Sequence, residues 1–311
     1  MPVTKNYLWV TSFAPATVKD CILPDKIKKT FLEYENTQDF PNLLLAGPAG
    51  VGKTSLANAL CTSIGADTLF VNASLDRGIG DIRTTVAQFA SCSSLISGKK
   101  VVILDEADNL TQDSQKALRA LIEEFQDHCR FILTCNYPHN IIDAIHSRCS
   151  VIDFHVRNEK QLNAMIGQMG MRIIEIFKSN DIKFDPKVLL SYIQSMAPDW
   201  RGILNNLQGA TKTGELTSDI LKDTPDTLIE YIKSKRWTNV RDWVFEHSYV
   251  HPKHLESSIY KSLQSRLDNQ SKPVAVLIFG EYSDKIMSGA DPSITLLALC
   301  TRIMMECTWQ D

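Results

Sequence analysis

The sequence predicts an α/β domain built on a parallel sheet and followed by helical domains. Three observations predict it. Short apolar runs alternate with amphipathic stretches through the first half, and the first of these runs ends in a glycine-rich turn. Beyond about Arg157 the strand patterns give way to helical ones. A strand that is apolar throughout needs cover on both faces, and intervening helices supply it.

In chain order, strands are expected at 43–46 (LLLA), 68–72 (TLFVN), 101–104 (VVIL), 131–134 (FILT) and 151–154 (VIDF). Between them, 55–64 places Leu56, Leu60 and Ile64 on one helical face, and 81–95 does so for Ile82, Val86 and Phe89. Leu118, Leu121, Ile122 and Phe125 share a face over 114–125. The second half reads as helices at 159–179, 185–196 and 201–210, a polar break over 211–226, and helices near 228–235, 240–247, 252–267, 273–287 and 292–307. Prolines at the last three starts suit the first turn of a helix. No strand is expected after Arg157.

The chain has 311 residues, enough for about two domains as a prior. Its 33 basic and 36 acidic residues give a net charge of −3, so it is not a globally basic, nucleic-acid-coating protein. Nucleic-acid contact requires a local patch. The longest apolar runs are far shorter than a membrane span, and the first twenty residues carry no secretory pattern, so a cytoplasmic protein is expected. Eight dispersed cysteines without a C-x-x-C pair read as reduced, mostly buried thiols. Cys129, Cys135 and Cys149 lie near His128, His139 and His146, but structural zinc sites present two ligands on a tight turn and these spacings do not. Cys129 and Cys135 read as flanking a buried strand.

The chemistry begins at GPAGVGKT, residues 47–54, which fits G-x-x-x-x-G-K-[ST] between a buried strand and a helix. Gly47, Gly50 and Gly52 let the backbone fold around phosphates, with the N–H groups of Val51, Gly52 and their neighbours through Ser55 turned inward. Lys53 is placed to reach the β- and γ-phosphates of ATP, and Thr54 to ligate Mg²⁺. VVILDEAD, residues 101–108, delivers Asp105 to a strand end, where an acid holds Mg²⁺ through water, and Glu106 beside it to polarise an attacking water. A pair of acids favours hydrolysis over nucleotide storage. Asn136, just past the fourth strand, reads either as a turn residue or as a polar group near the γ-phosphate. Arg148 reads either as a solvated charge or as a group reaching a neighbouring subunit's γ-phosphate.

GPAGVGKTS, NASLDRGIGDIR, VVILDEAD, SQKALRALIEEF, LTCN, SRC and PDWRGILNNLQ follow one another as in clamp-loader ATPases of the AAA+ class. The chain resembles the small subunits of replication factor C and, more closely, the large ATPase subunit of the clamp loader of T4-like bacteriophages. The shared motifs cover about residues 7–210. The resemblance implies an AAA+ nucleotide-binding domain (1–157), a helical lid domain (158–224) and an all-α collar, or oligomerisation, domain (225–311). It implies that Asn136 is the first sensor, that Arg148 is given in trans to the next subunit's ATP, and that Arg201 touches the γ-phosphate in cis. It also implies partners: other copies of the chain, a distinct clamp-loader subunit, a ring-shaped sliding clamp and primer–template DNA. The N-terminal WVTSFAP, residues 9–15, departs from the family's W-V-E-K-Y-R-P, which favours a viral lineage and a host cytoplasm. Val10, Phe13 and Ile22 remain as apolar surface for the adenine.

Arg77 and Ile79 precede or open the helix holding Arg83, and Lys116 and Arg119 lie three apart on the helix after the acidic motif. Such groups suit DNA phosphates, and a solvated helix face explains them as well in isolation. In the family these helices line the inner spiral along the DNA. Gln115 adjoins this face and is placed to link it to Asp105 and Glu106.

The expected function is therefore ATP-driven loading of a sliding clamp onto primed DNA. The alternative is another AAA+ DNA-remodelling ATPase, of branch-migration or initiator type, but no basic recognition helix is visible toward the C-terminus. A helicase of the DEAD type needs a second α/β motor, where this chain has helices.

Overall fold

The computed structural model describes residues 8–74, 79–92, 98–222, 224–247 and 252–310, with the backbone alone described at 79–83, 252–254, 257 and 287. The elements run α1 (Trp9–Ser12), α2 (Asp25–Thr37), β1 (Leu43–Ala46), α3 (Lys53–Ser63), β2 (Asp67–Asn72), α4 (Ile79–Ser91), β3 (Lys100–Asp105), α5 (Gln112–Glu124), β4 (Arg130–Cys135), α6 (Asp143–His146) and β5 (Ser150–Asp153). They continue with α7 (Glu159–Ser179), β6 (Lys183–Phe184), α8 (Pro186–Met196), α9 (Trp200–Ala210), β7 (Glu215–Leu216), α10 (Pro225–Lys233), α11 (Trp237–Glu246), α12 (Pro252–Gln264), α13 (Ser271–Met287) and α14 (Pro292–Glu306). They fall into two compact units, residues 1–176 with 197–209, and residues 177–196 with 210–311.

In the first unit five strands form a parallel sheet in the order β2-β3-β4-β1-β5. The three inner strands are apolar on both faces, and the period of two divides their side chains between two layers. Leu44, Val102, Leu104, Phe131 and Leu133 pack with Val86 of α4 and Leu118, Leu121 and Ile122 of α5. Leu43, Leu45, Val101, Ile103 and Ile132 pack with Ile27 and Phe31 of α2 and Leu56 and Leu60 of α3. Each such side chain removed from water contributes roughly 1.5–3 kcal/mol before entropy is counted. The edge strands β2 and β5 alternate instead, with Phe70 and Val151 exposed. Parallel pairing brings every strand's C-terminal end to one side, and β1, β3 and β4 present the phosphate loop, the acid pair and Asn136 there.

In the second unit α10 to α14 enclose a core that includes Ile229, Val240, Trp243, Ile259, Leu263, Ile278, Leu299 and Ile303. Pro292 follows the Asp291 cap, whose carboxylate accepts from the Ile294 N–H at 2.9 Å. Two differences from the sequence reading stand out. Helix α2 is absent from that reading, and β6 and β7 form a two-residue parallel ladder beyond Arg157. A two-residue pairing is too short to leave a periodic pattern in the sequence. Among the described residues no helix is long and apolar enough to cross a membrane.

Candidate active site

The phosphate loop turns at glycines that no other residue replaces without displacement. A Cβ on Gly47, at φ +151°, would lie 2.8 Å from the Phe154 Cβ. A Cβ on Gly50, at φ +77°, would lie 1.8 Å from the Asp199 carboxylate. Asp199 caps α9, accepting from the Gly202 N–H at 2.9 Å, and the Trp200 backbone N–H donates to the Gly50 carbonyl at 3.1 Å. The start of α9 is thus fixed against the loop.

The Lys53 ammonium donates to the Gly47 and Pro48 carbonyls at 2.7 Å each and to the Asn136 Oδ1 at 2.9 Å. Burial pushes it down to about 8, against the opposing influence of the nearby Asp108 and Asp105 carboxylates. Burial also pushes the neighbouring Cys135 thiol up to about 12, so that group is neutral. The Thr54 hydroxyl donates to Asp105 Oδ1 at 2.5 Å, and the Thr134 hydroxyl donates to the same oxygen at 2.7 Å. Thr134 in turn accepts from the Glu106 N–H at 3.0 Å.

Glu106 sits at φ 56°, a left-handed conformation that is uncommon for a non-glycine residue and is met at functional turns. Its carboxylate accepts from the Ser74 hydroxyl, and from the Asn109 amide at 3.2 Å. One Asp108 oxygen accepts from the N–H groups of Asn136 and Tyr137 at 3.1 and 3.0 Å, holding the turn after β4.

These groups open onto one cleft. Val10, Phe13, Ile22, Gly50, Gly52, Lys53, Thr54, Ser55, Asp105, Glu106, Asn136 and Arg201 all line it, as the sequence reading requires. Gly47 and Val51 do not line the cleft. The Val51 side chain lies in the core with Leu56 and Phe31. Arg148 lies elsewhere. Its guanidinium pairs with Glu123 of α5 and donates to the Ala144 carbonyl at 2.7 Å.

Of the residues expected to face DNA, Lys116 is exposed and pairs with Asp113 at 2.9 Å, and Arg119 is partly exposed on the same helix. Arg77 lies outside the described residues; Ile79 and Arg83 fall on α4 with only their backbone described. Gln115 is buried. Its amide donates to the Leu110 and Asn140 carbonyls at 3.2 and 2.9 Å, and its carbonyl accepts from the Ile142 N–H at 2.9 Å. It therefore joins α5 to the segment after Asn136, rather than to Asp105 and Glu106 directly.

Sequence reasoning missed Ser74, Asn109, Thr134 and Asp108, which brace the acids and the turn after β4, and Arg172 and Trp200, which line the cleft. Thr134 carries a signal, a lone hydroxyl in an apolar run. Ser74 requires the strand register, since Asn72 pairs with Asp105 and Ser74 follows two residues on.

Residues 43–159 match the model of the ATPase family associated with various cellular activities (AAA). The chain is 30% identical over 319 residues to the sliding-clamp-loader large subunit of Enterobacteria phage T4, covering 98% of both chains. It is 30% identical to the replication factor C small subunit of Sulfolobus acidocaldarius over 97% of each. Among solved structures, a single-residue variant of Thermotoga maritima RuvB superposes with a TM-score of 0.52 at 17% identity, covering 79% of this chain and 85% of that one. That last likeness is one of fold. Since the phage and archaeal subunits match it nearly end to end, the chain belongs to the AAA ATPases, in the clamp-loader family.

Proposed function

We propose that this chain is an ATP-hydrolysing subunit of a DNA-replication clamp loader, which opens a ring-shaped sliding clamp and places it on primer–template DNA. The observation that carries the reading is the convergence of Lys53, Thr54, Asp105, Glu106, Asn136 and Arg201 on one cleft, in a chain whose full length matches clamp-loader subunits.

Lys53 and the loop N–H groups bind the triphosphate, and Val10, Phe13 and Ile22 form an apolar seat for the base. Thr54 and Asp105 offer hydroxyl and carboxylate oxygens that already share a hydrogen bond, a hard donor set that fits Mg²⁺. When bound, such an ion would be held by these two residues and would neutralise phosphate charge. Glu106 orients the attacking water and accepts its proton, with Ser74 and Asn109 fixing the carboxylate beforehand. Asn136 and Arg201 contact the γ-phosphate in cis, and Arg148 reaches the ATP of an adjoining copy. Lys116, Arg119 and the α4 residues Ile79 and Arg83, with Arg77 before them, follow the DNA backbone, their few charges repeated around the assembly.

The division into ATPase (1–157), lid (158–224) and collar (225–311) domains belongs to the same proposal, as do a distinct partner subunit and a cytoplasmic setting. The alternative, a branch-migration or initiator ATPase, has only a likeness of fold behind it. The test is steady-state ATP hydrolysis by the chain with its partner subunit, with and without primed DNA and clamp. Stimulation by the two together is expected. A rate indifferent to both would remove the clamp-loader reading.

A further inference from the structure

Strand β4 lies inside the sheet, between β3 and β1, and its residues from Phe131 to Cys135 are buried. Thr134 is the one hydroxyl in that run and is 1% exposed. A buried hydroxyl costs free energy unless it is hydrogen-bonded, and valine would fill the same space in a strand without that cost. The reason for a threonine is then to be sought in its partners. Its O–H donates to Asp105 Oδ1 at 2.7 Å, and its oxygen accepts from the Glu106 N–H at 3.0 Å. One side chain thus holds both members of the acid pair, the first by its carboxylate and the second by its backbone.

Each bond constrains a different part of the site. Asp105 ends β3, and its Oδ1 receives two hydroxyls, Thr54 from the first turn of α3 and Thr134 from β4. Glu106 stands at φ 56°, where a residue with a side chain is disfavoured, so its backbone needs outside support. Thr134 supplies that support at the N–H. A hydroxyl has a single hydrogen. Here it is committed to Asp105, which leaves the oxygen lone pairs for Glu106, so the two bonds fix one another.

We propose that Thr134 is a positioning residue for ATP hydrolysis, its hydroxyl setting Asp105 and Glu106 in fixed relation to each other. This deepens the proposed function and rests on the roles given there to the two acids. Thr134 acts through them and not on the nucleotide. Loss of its hydroxyl therefore lowers turnover, while affinity for ATP, which Lys53 and the loop N–H groups carry, stays in place.

The test compares three substitutions in the full chain. Thr134→Val keeps the shape and removes the hydroxyl, Thr134→Ala is a second hydroxyl-free variant, and Thr134→Ser keeps the hydroxyl. Each is assembled with the partner subunit, and steady-state hydrolysis is measured with primed DNA and clamp. ATP binding by calorimetry and thermal melting are measured alongside. Thr134→Val and Thr134→Ala are expected to lower kcat about 10- to 100-fold with ATP affinity nearly unchanged, and Thr134→Ser to recover most of the loss. Undiminished kcat without the hydroxyl, a loss of ATP affinity that matches the loss of kcat, or no recovery in Thr134→Ser would overturn the proposal. Hydroxyl-free chains that fail to fold while Thr134→Ser folds would make the residue purely structural and overturn it as well. Glu106→Gln is the control: if it hydrolyses ATP as fast as the unsubstituted complex, the role given to Glu106 itself fails and this inference falls with it.

Discussion

Lys53 is held in a setting that a triphosphate improves. Burial depresses its ammonium to about 8, below the ordinary 10.5. Below about 8 it is protonated whether folded or unfolded, and the desolvation penalty is fully present. Between about 8 and 10.5 the unfolded chain binds more protons, so this group makes stability rise with pH across that window. Polyphosphate charge beside it favours the ammonium and raises its pKa, so binding takes up a proton there and affinity falls as pH climbs. Calorimetry of ATP binding near pH 9, in buffers of different ionisation enthalpy, should show proton uptake by the wild type and none by Lys53→Met; equal uptake by both would show that another group titrates. Glu106 tests differently. Glu106→Gln leaves Lys53, Thr54 and Asp105 in place, so ATP binding should persist while turnover in the assembled complex drops about 10²- to 10⁴-fold. Undiminished turnover would reduce Glu106 to a loop residue. Both residues are legible in the sequence because each sits in a contiguous motif. Ser74 and Trp200 are not, because Ser74 gains its meaning from the pairing of β2 with β3 and Trp200 from the packing of α9 on the phosphate loop.

Helix α5 is tied both to the core and to the segment after Asn136. Thr111 caps it, accepting from the Ser114 N–H at 3.2 Å, and Leu118, Leu121 and Ile122 anchor its inner face in the core. Its outer face carries Lys116 and Arg119, and Gln115 fastens its first turn to the segment after Asn136. Gln115→Ala would strand the Ile142 N–H and the Leu110 and Asn140 carbonyls, and we expect a loss of roughly 2 kcal/mol in denaturant unfolding. If α5 transmits DNA contact to the sensor turn, the same variant also loses DNA stimulation of hydrolysis beyond that explained by stability. Normal stimulation in a folded protein would assign Gln115 a purely structural role. The five sheet strands are readable from apolar runs, and α3, α4 and α5 from their faces. Helix α2 is not, because only Ile27 and Phe31 on it are buried and charged residues fill much of the rest. The two tryptophans of α11 differ: Trp243 is in the core, and Trp237 is 44% exposed.

For the molecule as a whole, the cleft supplies everything the proposed chemistry needs except the arginine. Arg148 stands apart from the cleft, paired with Glu123 at the surface, and such exposed pairs contribute only about 0–1 kcal/mol, little enough for a new partner to redirect. The proposed assembly would also repeat the few basic residues of each copy, which reconciles a net charge of −3 with the proposed DNA contact. The arginine's separation from the cleft makes its proposed contribution separable by experiment. Nucleotide binding should be measured on the isolated chain, and steady-state hydrolysis on the reconstituted complex with primed DNA and clamp, for Lys53→Ala and Arg148→Ala. Lys53→Ala should lose binding in isolation. Arg148→Ala should bind ATP normally alone, yet lose stimulated hydrolysis in the complex by roughly 10³-fold or more. Normal hydrolysis by Arg148→Ala in the complex, or loss of binding in the isolated chain, would contradict a site shared between subunits.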